Sequence, residues 1–194
     1  MKSNMKRMLG CAAITLVLAC GLAGQTVVPS REQIYAGLVG EWTGQLEYRD
    51  FSTDERVVLP AWLTVKPSGD GRSLQFIYTY DDGPTKTVVG SSTVTMADGK
   101  YSVTSDGDPA SDPYRIEEGG AKPGFQGLKF ALTGTGREND KPVDVRITVT
   151  IERNLYRYKK ETRSAGQDFN FRDEYVMTRR RPPMAKADTS PSPK

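Results

Sequence analysis

The chain has 194 residues, with 27 Lys and Arg against 24 Asp and Glu, two cysteines and no histidine. Its formal +3 charge resides in Lys2, Lys6 and Arg7, since residues 1–20 hold those three cations and no anion; the remainder is neutral, with both signs interspersed. A binder of phosphate backbones is expected to carry a basic excess on one face, so that class is set aside.

The three cations precede an uncharged run from Met8 to Ala19, the layout of an export signal. The run is shorter than the roughly 20 residues a spanning helix needs. Val17-Leu18-Ala19-Cys20 resembles a bacterial lipobox, which implies lipidation of Cys20 and attachment to a membrane through it, although Leu18 stands where a small residue is usual. Ordinary cleavage after Ala23 or Gly24 is the alternative, with Cys20 discarded. In both cases Cys11 is removed and the exported domain has no internal disulfide. The expected location is the periplasm or cell envelope. Residues 21–30 read as a tether, 31–181 as one folded domain and 182–194, rich in Pro, Ala, Ser and Lys, as a disordered tail.

Ser30 followed by Gln33 offers a capping box, and Ile34, Tyr35 and Leu38 continue at helical spacing until Gly40. From Trp42 the period changes to two. Trp42, Gly44, Leu46 and Tyr48 share a face; Val57, Leu59, Ala61, Leu63 and Val65 form a second set, with Val58 and Trp62 opposite and a bulge or bend expected near Pro60. Leu74, Phe76, Tyr78 and Tyr80 make a third strand, and Val88 to Met96 a fourth. Asp70-Gly71, Asp82-Gly83-Pro84 and Asp98-Gly99 are hairpin turns. Residues 106–124 read as long loops around a brief strand at Tyr114-Arg115-Ile116. Leu128, Phe130 and Leu132 come next, and Val143 to Ile151 alternates without exception. Tyr156 and Tyr158, then Phe169, Phe171, Tyr175 and Met177, supply the last two strands. The fold class expected is all-β: a single antiparallel up-and-down barrel of about 8–10 strands with a short N-terminal helix.

Gly40-Glu41-Trp42 resembles the Gly-x-Trp that opens the first strand of lipocalins and related calycin barrels, where a short helix precedes it. The resemblance implies a late arginine packed over the tryptophan, and Arg179, in phase with Tyr175 and Met177, is placed for that role by cation–π contact with Trp42. Gly44 is also similar to the corresponding position of bacterial haem-binding barrels of the nitrobindin type, which ligate iron through a histidine this chain lacks.

Without histidine or a retained thiol, Ser–His–Asp catalysis, thiolate chemistry and the usual tetrahedral zinc sites are closed. Turn formation accounts for the Asp81-Asp82 and Asp106-Gly107-Asp108 loops better than calcium binding does; no metal, cofactor or nucleic-acid partner is expected. Glu161, Arg163, Arg172 and Glu174 read as surface cross-strand charges. Lys160 and Asp173 fall on the inward parity; they read as a structural ion pair closing the barrel, as a pair that a local bulge turns to solvent, or as ligand-orienting or catalytic groups, the last being the route by which an enzyme built on these two residues or on tyrosines would work. The expected ligand-lining set is Trp42, Tyr48, Phe76, Tyr78, Phe130, Tyr156, Tyr158, Lys160, Phe171, Asp173, Tyr175 and Arg179. Lipocalin resemblance and inward tyrosines together imply a non-enzymatic carrier of a small apolar or amphipathic ligand. The alternative is an envelope interaction or inhibitor module acting through its loops.

Overall fold

The computed structural model describes residues 28–107, 113–118 and 126–180. The signal segment, Cys20 and the tail from 182 lie outside these residues, as do parts of the 106–124 stretch. Helix α1 (Arg31–Leu38) starts with the anticipated capping box: the Ser30 hydroxyl accepts the Gln33 N–H at 3.2 Å, and Gln33 Oε1 accepts the Ser30 N–H at 2.9 Å. Ten strands follow: β1 (Gly40–Arg49), β2 (Arg56–Pro67), β3 (Ser73–Asp81), β4 (Thr87–Ala97), β5 (Lys100–Ser105), β6 (Tyr114–Glu118), β7 (Leu128–Glu138), β8 (Lys141–Ile151), β9 (Leu155–Arg163) and β10 (Asn170–Arg179). Each pairs antiparallel with the next, and β1 closes on β10, giving an up-and-down barrel. Closure removes the free edges that an open sheet would present.

The turns obey the backbone logic that the sequence suggests. Asn139 and Asp140 both have positive φ (47° and 63°), as do Asp98 (51°) and Gly99 (71°). Two successive residues in that region give a hairpin a twist matching its strands. The wall is thinnest around β5, which pairs β4 only from Ser92 to Ala97 and β6 only at Lys100 and Tyr101.

Two glycines make the closure possible. A Cβ on Gly44 would lie 2.1 Å from the Val176 carbonyl oxygen, so β1 and β10 can approach here only without a side chain. Gly40 takes φ +135°, and a Cβ there would meet the Arg179 guanidinium at 2.6 Å. The Gly-x-Trp signature therefore has a local cause: the glycine vacates the space that the arginine enters.

Two expectations are corrected. β2 runs without a break through Pro60, opposite Gln45 in regular register, and carries no bulge there. The β2–β3 ladder begins only at Ala61, so an imide at position 60 interrupts nothing on that side. The irregularity lies in β10 instead, where the pairing shifts between Phe171 and Asp173 around Arg172. Phe171 consequently faces Glu161 and packs outside the barrel beneath the Arg56 guanidinium, 3.9 Å from its ring centroid.

The outer wall of β8–β10 is laced with ion pairs. Arg146 and Lys159 each reach Glu161 at 2.9 Å, Arg163 reaches Asp144 at 2.9 Å, and Arg157 reaches Glu174 at 2.7 Å. Arg172 is not one of these surface charges, because the bulge brings it to the rim of the barrel.

Candidate ligand cavity

The interior divides into a filled half and a hollow half. At the helix end, Trp42, Phe76, Phe130 and Met177 are almost fully buried, with Ile34 and Leu38 of α1 packed into the same core. The Trp42 indole donates to the Leu38 carbonyl at 2.8 Å, fixing the helix to β1. Arg179 lies over the indole, 4.1 Å from the ring centroid to its guanidinium carbon. It also donates to three carbonyls, of Gly37 at 2.6 Å, Val39 at 2.7 Å and Arg153 at 3.1 Å. The cation–π contact implied by the lipocalin resemblance is thus present, and the arginine bolts helix, β1 and the β8–β9 turn together. Tyr35 adds a bond from its hydroxyl to the Arg72 carbonyl at 2.9 Å.

These contacts place Trp42, Phe76, Phe130 and Arg179 in a structural plug. None of the four lines the central cavity, and the structure does not bring them together with the other residues expected to line a ligand. Side chains large enough to meet across the barrel fill it at this level.

Towards the other end the same strands present tyrosines and leave a cavity of about 740 Å³, within the usual range for small-molecule sites. Leu46 and Tyr48 reach it from β1, Tyr78 and Tyr80 from β3, Tyr156, Tyr158 and Lys160 from β9, and Asp173 and Tyr175 from β10. The sequence-expected Tyr48, Tyr78, Tyr156, Tyr158, Lys160, Asp173 and Tyr175 are therefore brought together. Phe171 is excluded by the bulge. Tyr80, Tyr101, Val103 and the β4 serines Ser91 and Ser92 belong to the lining as well. Tyr101 and Val103 carry a two-residue alternation that could have flagged them, but on a strand of six residues wedged against the Asp98-Gly99 turn.

Tyr175 is the hub of the aromatic wall. Its ring centroid lies 5.4 Å from that of Tyr78, 5.9 Å from Tyr158 and 6.4 Å from Tyr80, in tilted and edge-on arrangements that aromatic quadrupoles favour. Its hydroxyl is 2.7 Å from that of Tyr80, either one donating. Burial, reinforced by neighbouring phenols, pushes the Tyr78 hydroxyl well above its ordinary range; burial does the same for Tyr156, with Tyr101 and Asp173 adding to it. Burial also raises Tyr158, with Asp173 as its main charged contributor. The lining therefore stays phenolic, offering neutral donors and acceptors above apolar ring faces.

Asp173 and Lys160 stand directly opposite each other in the β9–β10 ladder, and both line the cavity. Burial raises the Asp173 carboxyl above the usual range, the cations of Lys160 and Arg172 oppose that shift, and Glu138 adds to it. Arg172 is engaged elsewhere: it donates to the Arg49 carbonyl, lies 3.3 Å from Glu138, and stacks at 3.5 Å over Phe51.

Among the described residues no cluster of three potential metal ligands occurs, and no helix is long and apolar enough to cross a membrane. The acidic loops have local partners: Asp82 binds Lys86, and Asp106 accepts from Ser91. No protein-family model matches the chain, and no curated protein matches it. What stands is the architecture, an antiparallel up-and-down barrel of ten strands compatible with a lipocalin-like fold.

Proposed function

We propose that this protein is an exported, lipocalin-like carrier that holds a small apolar or amphipathic molecule in the hollow half of its barrel and does no chemistry on it. The observation that carries the reading is the cavity of about 740 Å³ with seven tyrosines among its lining residues. Such a surface combines ring faces for an apolar body with hydroxyls for a polar end. The plug supports the same reading, because a barrel sealed at one end by Trp42 and Arg179 offers its ligand a single direction of entry past the rim. Export rests on the charge and hydropathy layout of residues 1–20, and attachment through Cys20 is part of the same proposal.

Native mass spectrometry of the protein purified from its own host, followed by organic extraction, tests the carrier reading. A bound small molecule released by solvent is the expected result. Protein that carries no extractable ligand, and that takes up none from a panel of amphiphiles, would remove the proposal. Replacing Tyr175 and Tyr158 by alanine is expected to weaken retention at least about tenfold, the equivalent of about 1.4 kcal/mol.

A further inference from the structure

Most charged groups near the cavity mouth already have a partner. Arg172 is held by Glu138, the Arg49 carbonyl and the Phe51 ring. Glu138 also accepts from Thr162 at 3.0 Å. Asp106 is taken by Ser91, Asp54 by Arg49, and Asp82 by Lys86. Lys160 and Asp173 differ from all of these. They face each other across one rung of the ladder and line the cavity, yet among the described residues no hydrogen bond or ion pair joins them to each other or to another group. Opposite charges that only feel each other across a half-buried wall, with no hydrogen bond between them, keep part of their desolvation cost, and a bound molecule that meets both lowers it.

We infer that the cavity takes an amphiphile with a zwitterionic head, its ammonium group against Asp173 and its carboxylate against Lys160. The assignment rests on the carrier reading given above. A head bearing only a positive charge would satisfy Asp173 and face the like charge of Lys160; a head bearing only a negative charge would meet the reverse difficulty. A zwitterion satisfies both groups at once. Charge-assisted hydrogen bonds of this kind are the stronger ones. Tyr175, two residues along the strand from Asp173, places its ring and those of Tyr78, Tyr80 and Tyr158 next to the site. Their faces attract an ammonium group, and beyond it they offer an apolar surface to the tail.

Titration calorimetry with four probes that share a decyl chain tests this: N-decylglycine, decyltrimethylammonium, decanoate and decanol. N-decylglycine is expected to bind at least about tenfold tighter than the other three. Asp173→Asn is expected to shift the preference to decanoate, and Lys160→Met to decyltrimethylammonium. The double exchange Lys160→Asp with Asp173→Lys keeps both charges and is expected to restore the preference for N-decylglycine, which separates a charge role from a folding defect; circular dichroism reports the fold of each variant. Equal affinity for all four probes, or single variants that leave the ranking unchanged, would overturn the zwitterion assignment while leaving the carrier reading in place. Failure of every probe to bind the wild-type protein would overturn both.

Discussion

Along β1, the indole of Trp42 is 1% exposed beneath Arg179, while six residues further on Tyr48 borders an open cavity. Both side chains are aromatic, both point inward, and they belong to one uninterrupted strand. The difference lies in their neighbours. Trp42 meets Tyr156 at 5.8 Å and shares its core with Leu63, Phe76 and Met177, whereas Tyr48 stands opposite Asp173 and near Lys160. Apolar side chains can close on one another and expel water. Phenols and charges at the same depth keep a polar space open, because their hydroxyl and carboxylate groups need partners. One alternation therefore yields a load-carrying floor and a hollow top.

If this division is sound, changes in the floor should reduce stability and spare binding, and changes in the top should do the opposite. The largest effect is expected from Gly44→Ala, whose added Cβ would meet the Val176 backbone. Loss of the cooperative unfolding transition is predicted, because β1 and β10 could no longer pair here, and denaturant unfolding reads it. Next comes Trp42→Ala, which leaves a cavity in the plug and takes away the seat of Arg179. It should cost about 3–5 kcal/mol while the affinity for N-decylglycine, measured on the folded fraction, changes little. A Trp42→Ala protein that unfolds normally but no longer binds would erase the distinction between the two halves.

The smallest effect has the most informative sign. Asp173 has a raised carboxyl pKa in the folded state because it is buried, with Lys160 and Arg172 only partly offsetting this and Glu138 adding to it. Such a group takes up its proton more readily when folded than when unfolded. Its contribution to stability is fully present below the unfolded value, about 3.9, and is lost as pH rises through the folded value. Asp173→Asn is therefore predicted to melt at a higher temperature than the wild type near neutral pH, with the gain disappearing in acid. Thermal melts across pH would reveal it. A variant that melts lower at neutral pH would mean that Asp173 holds the barrel together instead of waiting for a ligand.

Much of the architecture was legible because a barrel wall repeats one simple rule. The unbroken alternation of Val143 to Ile151, the Ser30 capping box and the Asp-Gly turns each report local geometry, and each lies where the sequence placed it. The position of Arg179 over Trp42 was legible through the lipocalin resemblance. Phe171 was not, since its direction depends on a one-residue irregularity. That irregularity accompanies Arg172's contacts with Phe51, Arg49 and Glu138, from two other hairpins, and no local pattern encodes such contacts. The boundary between floor and top was hidden for a related reason. Parity tells inward from outward, but it does not tell how far along the barrel axis opposing side chains meet. The composition does hold a trace of it, with Trp, Leu, Phe and Met at one level and Tyr with Lys160 and Asp173 at the other.

The described chain enters through α1 and leaves at Arg180, whose N–H donates to the Glu41 carbonyl at 2.8 Å beside the first rung of β1. Entrance and exit thus share the sealed base. A tether fixed directly to either end of the described chain would therefore hold the barrel by its closed base and leave the rim of the cavity facing away from the point of attachment.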